Sequence, residues 1–70
     1  MILQGNDRTS FDVEPGQVYR FSGVIFFIVF KVGRDSNNEV YADLIFLNGG
    51  GDKVNSLHRW IYFGGCERIG

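Results

Sequence analysis

One cysteine, one proline and one histidine stand in 70 residues, and the charge is nearly balanced at -1. Each scarcity excludes something. A lone cysteine permits no internal disulfide, and the usual staple of very small secreted domains is missing. One cysteine and one histidine also fall short of the four ligands of a structural zinc site, so no metal and no cofactor is expected. Seven Lys and Arg against eight Asp and Glu leave no basic excess. Counterion release from phosphates drives duplex binding, so duplex nucleic acid is not an expected partner. The longest apolar run, Val24 to Phe30, is too short to cross a bilayer as a helix. The start, Met1-Ile2-Leu3-Gln4-Gly5-Asn6-Asp7-Arg8, has neither the basic opening nor the apolar stretch of a signal peptide. A reduced thiol and no leader point to the cytoplasm. Helical spacing of apolar residues is missing too, and Asn48 to Ser56 holds one helical turn at most.

Glycine and large apolar residues are plentiful. Ten glycines fall between apolar runs, at Gly16, Gly23, Gly33, Gly49-Gly50-Gly51 and Gly64-Gly65 among others. The runs are rich in Val, Ile, Phe and Tyr, which suit a pleated surface. Strands are predicted at Phe11–Glu14, Val18–Ser22, Val24–Val32, Glu39–Leu47, Leu57–Phe63 and Cys66–Ile69. Glu14-Pro15-Gly16-Gln17 reads as a turn, and Arg34-Asp35-Ser36-Asn37-Asn38 as a polar hairpin loop. The length allows one domain, residues 1–70. The fold class is all-β: a small SH3-like barrel or a strongly bent antiparallel sheet of five to six strands.

The alternation of the long strands is unusual in having no polar side. Val24, Phe26, Ile28, Phe30 and Val32 point one way; Ile25, Phe27, Val29 and Lys31 point the other. One face is a core. The second needs a cover, either the Ile2-Leu3 segment or another molecule. Self-association as a dimer is therefore expected, through Ile25, Phe27, Tyr41 and Ile45. Asp43 interrupts an apolar strand, and pairing with Arg20 or Arg59 would explain it.

Candidate chemistry is thin. Gly49-Gly50-Gly51-Asp52-Lys53 has the small residues of an anion cradle but not the Gly-Lys-Ser/Thr order before a helix that a phosphate loop requires. His58 and Cys66 have no evident orienting partner for nucleophilic catalysis, so no enzyme is expected. Trp60 and Tyr62, two residues apart in a strand, would lie about 6.5–7 Å apart on one face. Both combine an apolar body with a polar handle. The predicted binding site is Trp60, Tyr62 and His58, with Lys53, Arg59 and Gly50 at its edge.

The run Glu14-Pro15-Gly16-Gln17-Val18-Tyr19-Arg20, followed by Gly23 and the strand from Val24, resembles the opening of small SH3-like barrels found in phage and bacterial accessory proteins. The likeness covers about half the chain and carries no functional residue across. In size and in having no catalytic set, the compact chain also resembles phage accessory proteins that inhibit or sequester a host factor, which implies a non-catalytic interaction protein acting in the host cytoplasm. A host protein or a small anionic ligand is the expected partner. The alternative function is a nucleic-acid or nucleotide binder using the aromatics with Arg20, Arg34, Lys53, Arg59 and Arg68.

Overall fold

The computed structural model describes residues 1–49 and 51–70, with all their side chains except that of Asp52. It is all-β apart from one 3₁₀ turn: β1 (Ile2–Gln4), β2 (Ser10–Asp12), β3 (Val18–Phe21), β4 (Ile25–Arg34), β5 (Val40–Phe46), the turn at Gly51–Lys53, β6 (Leu57–Trp60) and β7 (Cys66–Arg68). Among the described residues no helix is long and apolar enough to cross a membrane. β1 and β2 pair antiparallel as a separate ribbon, and the other five strands form one antiparallel sheet in the order β6-β5-β4-β3-β7. The bent-sheet form of the expectation holds and the barrel form does not. β6 and β7 are the sheet's two edges and do not pair.

The sheet is nevertheless strongly curled. Phe21 on β3 and Trp60 on β6 belong to strands three places apart. In a flat sheet that separation is about 14 Å. Their ring centroids are 5.1 Å apart. The curl makes one face concave. That face holds the core: Tyr19, Phe27, Val29, Ala42, Leu44 and Phe46, covered by Leu3 and Val13 from the ribbon and by Phe63. Phe11 of β2 lies over Tyr19 and Phe63, at 6.1 and 6.0 Å between centroids. The Ile2-Leu3 segment is thus a strand of its own, and it covers the concave face.

Register decides the two faces. Phe27 lies opposite Phe46, and Val29 opposite Leu44. Odd residues of β4 therefore share a face with even residues of β5. A bulge follows: after Val29 the next pair is Lys31 with Asp43, leaving Phe30 as the extra residue, 58% exposed. The expected self-association set is corrected by this register. Phe27 is 0% exposed and Tyr41 7%, and Ile25 packs against the core cluster. Of the four, Ile45 alone stays half-exposed on the convex face. Grouping odd residues of β4 with odd residues of β5 was one residue out of register, which moves every side chain to the other face.

Local chemistry supports the ends of the sheet. Asp35 Oδ1 accepts from the backbone N–H groups of Asn37 and Glu39, both at 2.9 Å, and closes the polar β4–β5 hairpin. Asn48 extends the same pair of strands: its Oδ1 accepts from Phe26 N at 2.7 Å, and its Nδ2 donates to Val24 O. Gly33 pairs with Tyr41, whose ring lies across it. A Cβ at Gly33 would sit 3.0 Å from the Tyr41 hydroxyl, so only glycine leaves that ring its place.

Candidate functional site

Trp60 ends β6 facing the concave side. It is held by rings: besides Phe21, the centroids of Phe27, Phe46 and Phe63 lie 5.2, 5.8 and 6.1 Å away. Beyond it the chain leaves the β6 ladder. Ile61 turns outward, Tyr62 makes a parallel bridge with Gln4, and Phe63 N donates to Gln4 O before its side chain enters the core. Tyr62 is 50% exposed, and its hydroxyl donates to Asn6 Oδ1.

This departure opens a cavity of about 470 Å³ lined by Phe21, Arg59, Trp60, Ile61, Tyr62 and Gly64. A Cβ at Gly64 would run into the Tyr62 ring and the Asn6 side chain, so glycine permits the close fold of this wall. The site expected from strand spacing is reached by another route. Trp60 and Tyr62 both line the cavity, but Tyr62 lies past the end of the strand. Arg59 reaches its rim. His58 and Lys53 are not among the lining residues, and Gly50 lies outside the described residues. Phe21, Ile61 and Gly64 were missed. Phe21 reaches the cavity only because the sheet curls, and no local pattern in the sequence marks that.

Arg59 is engaged on the convex side. Its Nε donates to Asp43 Oδ1 at 2.8 Å and an Nη to Oδ2 at 3.1 Å, a bidentate pair. Its guanidinium carbon lies 3.8 Å from the Tyr41 ring centroid, a cation–π contact. Asp43 is only 5% exposed. The Arg59 hydrogen bonds hold its carboxyl below the usual carboxylate range, against the opposing effect of burial. The in-strand acid therefore pairs with Arg59. Arg20 pairs instead with Glu67, at 2.5 Å.

His58 stacks on Phe46, at 4.5 Å and 18°. Its Nε2 is buried with no hydrogen-bond partner. Cys66 lies on the opposite edge strand, and burial pushes its thiol up to about 11. Such a thiol is a poor nucleophile at neutral pH. Among the described residues no three His, Cys, Asp or Glu side chains gather in a metal-binding group. The described part of the glycine loop forms the short turn at Gly51–Lys53. What the cavity offers is apolar and aromatic surface, edged by one tyrosine hydroxyl and one neutralised arginine. No family model, curated protein or solved structure matches the chain.

Proposed function

We propose that the protein is a non-catalytic binding protein that seats an apolar or aromatic side chain of a partner protein in the cavity between Phe21, Trp60 and Tyr62. The observation that carries this is a Trp fixed by four neighbouring rings beside a half-exposed Tyr and Ile. An aromatic platform ordered before binding loses little side-chain entropy on contact, which is what makes such residues anchors. The protein acts by occupying its partner, as a small accessory or inhibitory protein does, and turns nothing over. The raised Cys66 thiol, a poor nucleophile at neutral pH, is in keeping with that.

The nucleotide reading is the weaker one because four of its five cations are engaged within the chain. Arg59 is closed on Asp43 and Arg20 on Glu67. Arg34 and Arg68 donate to the carbonyls of Asn38 and Gly70.

The test is a titration with N-acetyl-phenylalaninamide, read on the Trp60 indole N–H resonance. Saturable binding in the millimolar range is expected for so small a ligand. The wild type should keep it in high salt, and the Ile61→Ser/Tyr62→Ala variant should lose it. Both changed residues are 50% exposed, and an unchanged circular dichroism spectrum checks that the variant keeps the fold. A response that does not saturate, or that survives in the variant, overturns the proposal. Salt-sensitive binding of a thymidine oligonucleotide at the same resonance would favour the nucleotide reading instead.

A further inference from the structure

Of the five asparagines in the chain, Asn48 alone precedes a glycine. The fold imposes both residues. Leu47 N donates to Phe26 O at 2.8 Å, which is half of an antiparallel hydrogen-bonded pair. A side chain makes the other half: Phe26 N donates to Asn48 Oδ1 at 2.7 Å, and Asn48 Nδ2 donates to Val24 O at 3.3 Å. The position needs an acceptor and a donor on one short stem, and an ionised aspartate lacks the donor. Position 49 needs glycine for two reasons. Its φ is 74°, and a Cβ there would sit 2.9 Å from Ile25 Cγ1.

We propose that Asn48–Gly49 is a self-modification site, where the chain deamidates with its own backbone and water, and that the strand bonds of the Asn48 carboxamide hold the reaction back. In the first step the Gly49 backbone nitrogen attacks Asn48 Cγ. A new N–Cγ bond forms, and the carboxamide nitrogen leaves as ammonia, taking up the proton that Gly49 N loses. A cyclic imide remains. In the second step water opens the ring at one of its two carbonyls. Breaking the bond to Cγ leaves aspartate at position 48. Breaking the bond to the main-chain carbonyl leaves isoaspartate. Nothing is oxidised or reduced. Asparagine is a thermolabile residue, and a following glycine has no Cβ to shield the attacking nitrogen. The other four asparagines precede Asp7, Asn38, Glu39 and Ser56, each with a side chain in the way.

The bonds to Phe26 and Val24 tie the carboxamide to β4, so attack by its own following amide requires that both break. Asn48 and Gly49 are exposed, and water reaches them without any opening. The opening that the first step needs is local, at the end of the β4–β5 pair, and such openings cost less than unfolding the whole sheet. The product does not close again as before. At neutral pH an aspartate at this position presents a carboxylate oxygen to Val24 O where the amide donated. An isoaspartate lengthens the main chain where Gly49 lies against Ile25. Modification is a one-way release of the latch between β4 and the chain leaving β5.

The test incubates the full chain at mildly alkaline pH, in buffer and in guanidinium chloride, with peptide mapping by mass spectrometry. In denaturant the acid products should appear at position 48 ahead of the other four asparagines. In buffer the same conversion should be at least about tenfold slower, since it waits on local opening. Asn48→Asp should melt below the wild type at neutral pH. The gap should narrow in acid, where the protonated new carboxyl can again donate to Val24 O. Equal rates in buffer and denaturant overturn the proposal. So does conversion of another asparagine first in denaturant, and so does an Asn48→Asp variant as stable as the wild type at neutral pH. The rate ratio is read on the wild type, so it decides the matter even where the variant does not fold.

Discussion

The two faces of the five-stranded sheet are both apolar at their centres and have opposite fates. The concave face is lined by Phe, Tyr, Val and Leu, and the chain covers it with its own ribbon and Phe63. The convex face carries Ile, Val, Leu and Phe along its centre, flanked by Lys31 and the Arg20–Glu67 and Asp43–Arg59 pairs, and the chain leaves it partly exposed. Hydrophobicity alone does not separate the two centres. Curl does: it brings side chains from distant strands together on the inside and spreads them on the outside. A core forms where rings from β3, β4, β5 and β6 converge around Trp60. A partly exposed apolar surface remains where side chains diverge.

Breaking the comparison is simplest with neighbours on one strand. Phe27→Ala removes a fully buried ring packed on Tyr19, Phe46, Trp60 and Phe63. It should cost about 3–5 kcal/mol, enough to unfold most molecules of so small a domain. Ile28→Ala, one residue on and on the other face, should cost under about 1.5 kcal/mol, because its side chain is only half-buried. Urea titrations of the two variants measure the difference. Equal losses would mean that the convex face is as closed as the concave one.

Next in size is Gly33→Val. The new side chain displaces the Tyr41 ring, and with it the platform under Arg59. Overpacking of this kind costs about 1–3 kcal/mol, read as a lower melting temperature.

The Asp43–Arg59 pair tests the polar edge of the convex face. Arg59→Met leaves a nearly buried carboxylate without its partner and should lower the melting temperature. Adding Asp43→Asn should recover part of that loss, because the stranded charge is the main cost. The same pair gives an acid dependence. The folded-state pKa of Asp43 is depressed, so its stabilisation is present above the ordinary carboxylate range and is lost as pH falls through that lowered value. The double variant should lack this part of the acid response.

The smallest effect is on Cys66. With its thiol pushed up to about 11 by burial, alkylation by iodoacetamide at pH 8 should be at least about tenfold slower than in the urea-unfolded chain. Because the folded pKa is raised, its contribution is full below the unfolded value and is lost as pH rises through about 11.

Strand content was legible because Val, Ile, Phe and Tyr cluster between glycines, and the Asp35 hairpin was legible because its turn chemistry is local. Register was not. A strand such as Ile25–Arg34, apolar on both sides, gives no polar side to anchor the pairing, and the bulge at Phe30 shifts it again. β1 went unread because Ile2–Gln4 holds only two apolar residues. It becomes a strand through pairing with β2, eight residues on. Trp60 and Tyr62 were legible as a pair of neighbouring aromatics, and both line the cavity. The cavity between them was not, because it depends on Phe21 crossing three strands and on the chain leaving β6 at Ile61.

The difference between the faces is tested most directly by ¹³C methyl spectra recorded with and without a soluble paramagnetic probe, which broadens the resonances that solvent reaches. Leu57 and Ile69 methyl resonances should broaden most and those of Val18, Ile28 and Ile45 less, while those of Leu3, Val13, Val29 and Leu44 stay nearly unchanged. Convex-face methyls that the probe leaves sharp, or buried methyls that broaden as far, would contradict the account.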